Sequence, residues 1–155
     1  MQAELRKIDS SNEKACIALR VAEDQAQYIA SNEASLAAAG QNSAVARPFA
    51  IYIDNEPAGF TMFAFDEDCE DPAGRYWLWR FMIDKDLQGR GYGSAALTAV
   101  IGYFKAHGAD SIRLSTKAGN RNAISLYRRF GFRENGEMNG EETVLELNLE
   151  GERGI

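Results

Sequence analysis

The chain has 155 residues, 45% of them hydrophobic, which suits one ordinary domain over residues 1–155 with its own core and is too short for two. Its formal net charge of -6 argues against a general nucleic-acid binder, which would carry excess Lys and Arg against phosphate. Two cysteines without metal-ligand spacing and a single histidine leave little material for a zinc site or a histidine-based triad, so no metal is expected.

In chain order, "AELRKI" alternates and predicts a first strand. A Ser/Asn cap follows in "DSSNEK", opening a helix whose Ala15, Leu19 and Ala22 share one face. A second helix is expected over "QYIASNEASLAAA", ending at Gly40. β-branched and aromatic residues on either side of "DNEP" make "RPFAIYIDNEPAGFTMFAF" a hairpin. "RYWLWRFMID" is almost continuously apolar and therefore a central strand. From Gly91 the period changes, with Leu97, Val100, Ile101 and Phe104 at helical spacing until His107 and Gly108. "SIRLST" is the next strand. In "NRNAISLYRRFGF", Ala123, Leu126, Tyr127 and Phe130 form one helical stripe that Gly131 caps. "EETVLELNLE" closes the chain with one or more strands, carrying Thr143, Leu145, Leu147 and Leu149 on one face. The order predicts a mixed α/β fold with helices on both faces of a sheet.

Charge is unevenly spread. Between Arg75 and Arg133 there are eleven Lys/Arg and three Asp/Glu, a local +8, and the remainder carries six and twenty, or -14. Within that acidic frame "DEDCED" places five carboxylates in six positions, either a solvated loop or a rim that attracts cations. No apolar run approaches a membrane span, and the N-terminus lacks a basic start followed by an apolar stretch. The expectation is a soluble, cytoplasmic protein with no membrane partner.

The segment "QGRGYGS", Gln88 to Ser94, stands where the central strand gives way to a helix. Glycines there free backbone N–H groups, and the helix N-terminus adds partial positive charge, an arrangement suited to phosphate or pyrophosphate. The bland alternative is a turn needing positive φ. No Gly-Lys-Ser/Thr follows, and position 94 is Ser where a dinucleotide fingerprint has its third glycine, so neither nucleotide motif fits.

Two motifs carry a resemblance. Gln88, Gly91 and Gly93 match a Gln/Arg-x-x-Gly-x-Gly/Ala pattern between strand and helix. Asn120, Ala123, Leu126, Tyr127, Gly131 and Phe132 match an Asn-x-x-Ala-x-x-Leu-Tyr-x-x-x-Gly-Phe pattern. Together, in this order, they resemble the GNAT superfamily of N-acetyltransferases, and "LWRFMID", "QGRGYG" and "LYRRFGF" are most like its bacterial spermine/spermidine acetyltransferase group. The resemblance implies a mostly antiparallel twisted sheet of six or seven strands and acetyl-CoA as acetyl donor. It also implies a cationic primary amine as acceptor, and a homodimer is common in that group. The backbone of Gln88, Gly89, Arg90, Gly91, Tyr92, Gly93 and Ser94 would hold the pyrophosphate. The backbone of Phe81, Met82 and Ile83 would pair with the pantetheine arm like an added strand, Asn120 would hydrogen-bond that arm, and Tyr127 would stand by the sulfur. Arg90, Lys117, Arg121, Arg128 and Arg129 are all candidates for the 3'-phosphate.

Acetyl transfer to an amine needs a neutral nitrogen, a donor for the oxyanion and a proton for the leaving thiolate. A backbone N–H near Met82 suits the oxyanion. Tyr127 suits the thiolate, because a phenol stays protonated at neutral pH; outside the motif the same tyrosine would be a core aromatic. A carboxylate or water must accept the amine's proton, with Glu33, Asp66 and Glu67 as the candidates that would also bind the substrate. Trp79 stands where some relatives carry an acidic residue, which argues against a base on that strand. An acetyl-cysteine route is disfavoured: Cys16 sits among small apolar residues, and Cys69 is flanked by acids that oppose a thiolate. Direct attack in a ternary complex is expected, with Glu23, Asp24, Glu33 and "DEDCED" as a field for a polyamine. Peptide, lysine or aminoglycoside acceptors and a non-catalytic acyl-CoA-binding module remain the alternatives.

Overall fold

The computed structural model describes residues 2–21, 26 and 31–149. The elements are β1 (Ala3–Lys7), α1 (Glu13–Ala18), α2 (Asn32–Gln41), β2 (Ala46–Ile53), β3 (Glu56–Phe65), β4 (Tyr76–Ile83), α3 (Tyr92–Ala106), β5 (Ser111–Thr116), α4 (Arg121–Arg129), β6 (Arg133–Asn139) and β7 (Glu142–Asn148). The strands form one seven-stranded sheet in the order β1-β2-β3-β4-β5-β7-β6. Every neighbouring pair is antiparallel except β4 and β5, which run parallel. This is the mixed α/β architecture the element order predicts.

Strand alternation divides the core between the two faces of the sheet. On one face Leu97, Val100 and Phe104 of α3 and Tyr127 of α4 pack with Phe63, Phe65, Leu78, Ile112, Leu114 and Leu145. Phe63 and Phe104 are fully buried and their rings meet edge-on at 4.8 Å, each burial contributing about 1.5–3 kcal/mol. On the other face Cys16 of α1 and Ala39 of α2 pack with Phe60, Met62 and Met82.

The structure shifts several expected boundaries. α1 ends at Ala18, and Leu19 is already extended, because the next residue is tied to the end of β4. Arg20 N donates to the Asp84 carboxylate at 2.9 Å, and Lys85 N donates to Arg20 O at 2.6 Å. Ala22 and the start of the expected second helix lie outside the described residues. Asn12 precedes α1 without capping it through its side chain, which instead spans Asp9 N and Lys7 O. Ser31 caps α2 by accepting from Ala34 N, and Gly40 is helical rather than terminal. The hairpin turns on Asp54 and Asn55 alone, both at positive φ, so Glu56 and Pro57 already belong to β3. Among the described residues no helix is long and apolar enough to cross a membrane.

Candidate active site

One feature of the sheet creates the site. β3 and β4 pair in register until Met62 faces Arg80 and Phe63 faces Leu78, which leaves Trp79 as an extra residue in β4. Such a bulge bends its strand and increases local twist. On its other edge β4 is paired with β5 at a single position, Trp77 with Arg113. Beyond that pair the two parallel strands diverge, and among the described residues the backbone of β4 from Leu78 to Ile83 has no strand partner on that side. The opening is a cleft of about 1220 Å³ running between them.

The glycine junction sits at one end. Gly89 and Gly91 have φ of 78° and 83°, and Gly91 is the residue before the first turn of α3, with no side chain over it. Gly89, Gly91, Gly93 and Ser94 line the cleft, so the first turn of α3, whose leading N–H groups have no partner within the helix, stands at its end. Gln88 also lines it, and its Nε2 donates to Ile83 O at 3.0 Å, tying the loop to the end of β4. Arg90 is exposed and outside the lining, and the Tyr92 side chain packs into a small cluster with Ile51, Ile83 and Ala96.

Phe81, Met82 and Ile83 form the β4 wall, and Asn120, Ala123, Leu126 and Tyr127 form the wall from α4. The helical stripe that places Leu126 and Tyr127 inward is the one legible in the sequence. Asn120 is 7% exposed and stands before α4, where its Nδ2 approaches Thr116 Oγ1 at 3.4 Å. Tyr127 packs between Phe81 and Phe132, with centroids at 6.3 and 5.6 Å. Burial raises its phenol well above its ordinary value, so it is a protonated donor throughout the neutral range. Among the described residues its hydroxyl has no hydrogen-bond partner, and the residue lines the cleft. The donor set therefore fits an acyl-CoA: backbone amides and a helix N-terminus for pyrophosphate, an unpaired strand edge for an amide-bearing arm, and a neutral acid beside the place where that arm would end.

Of the basic residues considered, Lys117 and Arg129 line the cleft. Arg121 is outside the lining, and Arg128 is ion-paired with Glu134. Of the carboxylates, Glu33 is exposed on α2, while Asp66 and Glu67 follow β3 at the end of the sheet away from the glycine junction. None of the three is in the lining. Glu23 and Asp24 lie outside the described residues. Among the described residues the carboxylates in the cleft are instead Glu137 of β6 and Glu142 of β7, with Glu142 accepting from Ser115 Oγ at 2.7 Å. Arg80 also lines the cleft, its Nε donating to Ser35 Oγ at 3.2 Å and its Nη1 to Trp79 O at 2.8 Å. The sequence held one signal for it, a charge in the middle of an apolar strand. Burial pushes its guanidinium down from the ordinary value, and the Glu142 charge opposes that shift. No group of three or more His, Cys, Asp or Glu suited to a metal occurs among the described residues.

The description "Acetyltransferase (GNAT) family" matches residues 10–132. The chain is 34% identical over 152 residues to the spermine/spermidine N(1)-acetyltransferase of Bacillus subtilis (strain 168), covering 94% of this chain and 98% of that one. Its fold is similar to the PaiA N-acetyltransferase of Thermoplasma acidophilum in complex with coenzyme A, with a TM-score of 0.69, 18% identity, and 96% and 99% of the two chains covered. It is also similar to RimL, a ribosomal L7/L12 alpha-N-protein acetyltransferase in complex with coenzyme A, with a TM-score of 0.71, 20% identity, and 96% and 94% covered. The chain belongs to the acetyltransferase (GNAT) family and is an acyl-CoA-dependent N-acetyltransferase.

Proposed function

We propose that this enzyme acetylates a primary amine of a polyamine such as spermine or spermidine by direct attack in a ternary complex. The observation that carries the reading is the pair of carboxylates, Glu137 and Glu142, in the wall of the cleft that Tyr127 enters from the other side. A polyamine holds two or more ammonium groups on an aliphatic chain. Two carboxylates with Met138, 61% exposed, between them in sequence offer charge and an apolar surface together. The 34% identity to a spermine/spermidine acetyltransferase over nearly the whole of both chains supports the same substrate class.

In this reading the backbone of Gln88 to Ser94 holds the pyrophosphate, the β4 edge at Phe81, Met82 and Ile83 and the Asn120 side chain hold the pantetheine arm, and Lys117 or Arg129 meets the 3'-phosphate. Bound acetyl-CoA supplies the activated acyl carbon. The β4 backbone near Met82 donates to the developing oxyanion, a fixed dipole that needs no reorganisation during reaction. Tyr127 gives a proton to the sulfur as it leaves. Cys16 has no part, since its thiol is 1% exposed.

The test is thiol release from acetyl-CoA against spermine, spermidine, putrescine, lysine peptides and aminoglycosides, with a no-amine control. Release that depends on spermine or spermidine supports the reading. Release with lysine peptides or aminoglycosides alone replaces the polyamine by that acceptor, and no release with any polyamine overturns it.

A further inference from the structure

Strand alternation assigns the polar groups of the cleft to definite faces. Leu145, Leu147 and Leu149 point to the α3–α4 face, so Glu142, Val144 and Glu146 of β7 point to the opposite face, the one covered by α1 and α2. Ile112 and Leu114 likewise turn Arg113 and Ser115 of β5 to the α1–α2 face. The two contacts across these strands agree: Arg113 pairs with Glu146 at 2.5 Å, and Ser115 bonds Glu142. Arg80 is on that face too, because its Nε reaches Ser35 of α2. Tyr127 approaches from α4, on the opposite face. The gap between β4 and β5 is thus served by an acid from one face of the sheet and by a carboxylate and a guanidinium from the other.

We propose that Glu142 is the proton acceptor for the attacking amine and that Arg80 is the positioning residue that keeps the nitrogen beside it neutral, roles that rest on the amine-acceptor reading above. An ammonium cannot attack a carbonyl carbon. It must first lose a proton, and it loses a second as the tetrahedral centre collapses. The C–N bond forms, the C–S bond breaks, one of the two protons reaches sulfur through Tyr127, and the other passes to Glu142 and leaves to solvent along the cleft. The products are the N-acetyl amine, the free thiol and one proton.

Arg80 biases the nitrogen beside Glu142 toward its neutral form. Among the described residues no carboxylate lies within ion-pairing distance of its guanidinium, whose hydrogen bonds go to a hydroxyl and a carbonyl. A fixed cation with no counter-ion in contact disfavours a second cation nearby, and so offsets the pull of the Glu142 carboxylate, whose charge acts on Arg80 as it would on the amine, toward a protonated nitrogen. Ser115 holds the Glu142 carboxylate, and Asn139 Nδ2 donates to the same Ser115 hydroxyl at 3.2 Å, so the acceptor oxygen has a defined place. Among the described residues the other charged groups on this face include Glu137 of β6, the Arg113–Glu146 pair, Arg20 and Asp84 where the end of α1 meets the end of β4, and Glu13, Lys14 and Glu33 on α1 and α2, the last three exposed. Glu137 is exposed at the cleft and is the site for a second ammonium.

The experiment compares E142Q, R80Q and R80K with wild type, using the best amine of the panel from pH 6 to 10, with coenzyme A affinity and melting temperature as controls of folding. E142Q keeps an oxygen for Ser115 but cannot take a proton. The expected result is a loss of about 100-fold in kcat/KM at pH 7 that shrinks toward pH 10, where the amine is neutral in solution. R80Q should move the acid limb of the kcat profile to higher pH, and R80K should restore it. A loss by E142Q that is equal at every pH, or no loss, overturns the role of Glu142. An acid limb that R80Q leaves in place overturns the role of Arg80. If E142Q does not fold, Ser115→Ala, which releases the carboxylate, must show a smaller loss with the same pH dependence. Because the amine is chosen by wild-type turnover, a panel in which polyamines fail revises the substrate class while these variants still judge Glu142 and Arg80.

Discussion

The rings of Phe81 and Tyr127 meet at 6.3 Å and 62°, joining the free edge of β4 to the inner stripe of α4. The contact fixes the phenol against the strand whose backbone lines the cleft, and it does not involve the hydroxyl. Tyr127→Phe should therefore keep the packing and lose only the proton donor. We expect kcat to fall about 100-fold, with coenzyme A affinity unchanged and the melting temperature within a few degrees of wild type. Isothermal titration together with steady-state rates checks both halves, and a weakened affinity would mean that the hydroxyl serves binding. The raised phenol pKa also has a sign. Tyr127 is neutral in both folded and unfolded chains below pH 10, so its contribution to stability is constant there. It favours unfolding only above about 10, where the unfolded phenol ionises first. No alkaline limb from Tyr127 should appear in the rate profile below that pH.

Gly91 has φ of 83°, and a Cβ built on it meets nothing within 4 Å. The restriction is conformational and not one of space. Gly91→Ala should destabilise the loop by about 1–2 kcal/mol, and Gly91→Asn, which tolerates the left-handed region, by less. Coenzyme A affinity should fall about tenfold for Ala, and most for Asp, which adds charge against phosphate. Equal affinities for Ala and Asn would remove backbone conformation as the cause.

Burial and the neighbouring Glu13 push the Cys16 thiol up to about 11, and the residue is 1% exposed on the inner side of α1, whereas Cys69 is partly exposed. At pH 8 a thiol reagent should modify Cys69 in the folded protein and Cys16 only on unfolding. Activity surviving stoichiometric modification of Cys69 is the expected outcome, consistent with transfer that uses no cysteine. Rapid reaction of two thiols in the folded enzyme would contradict the packing of α1 against β3.

What the sequence made legible is what local physics determines. The glycines at 89 and 91 permit the positive φ that the turn adopts, and the stripe Ala123, Leu126, Tyr127 and Phe130 follows from helical period alone. β6 was not individually legible, since "RENGEMN" is exposed at every position and has no apolar alternation; pairing with β7 makes it a strand. The acidic candidates Glu33, Asp66 and Glu67 were picked out by composition, and composition is blind to register. Glu137 and Glu142 reach the cleft because β7 lies beside β5 in one particular register, a non-local fact. The bulge at Trp79 is of the same kind, visible only once β3 is aligned with β4.

Gly59 and Gly102 separate two uses of glycine and give a paired test. A Cβ at Gly59 on β3 would stand 2.2 Å from Met82 O, so the side chain is excluded by the backbone of the very strand that forms the cleft wall. Gly59→Ala must push β4 aside. Overpacking of this kind costs about 1–3 kcal/mol, or roughly 5 °C in Tm for a chain of this size. Because the displaced atoms belong to Met82, the KM for acetyl-CoA should rise as well. Gly102, within α3, has open space around its Cβ position and no positive φ. Gly102→Ala should stabilise by about 0.5–1 kcal/mol through helix propensity, with kinetics unchanged. Thermal melts and steady-state rates on the two variants give four numbers. A Gly59→Ala enzyme that melts lower but keeps its KM would show that β4 moves without disturbing the edge that holds the cofactor arm.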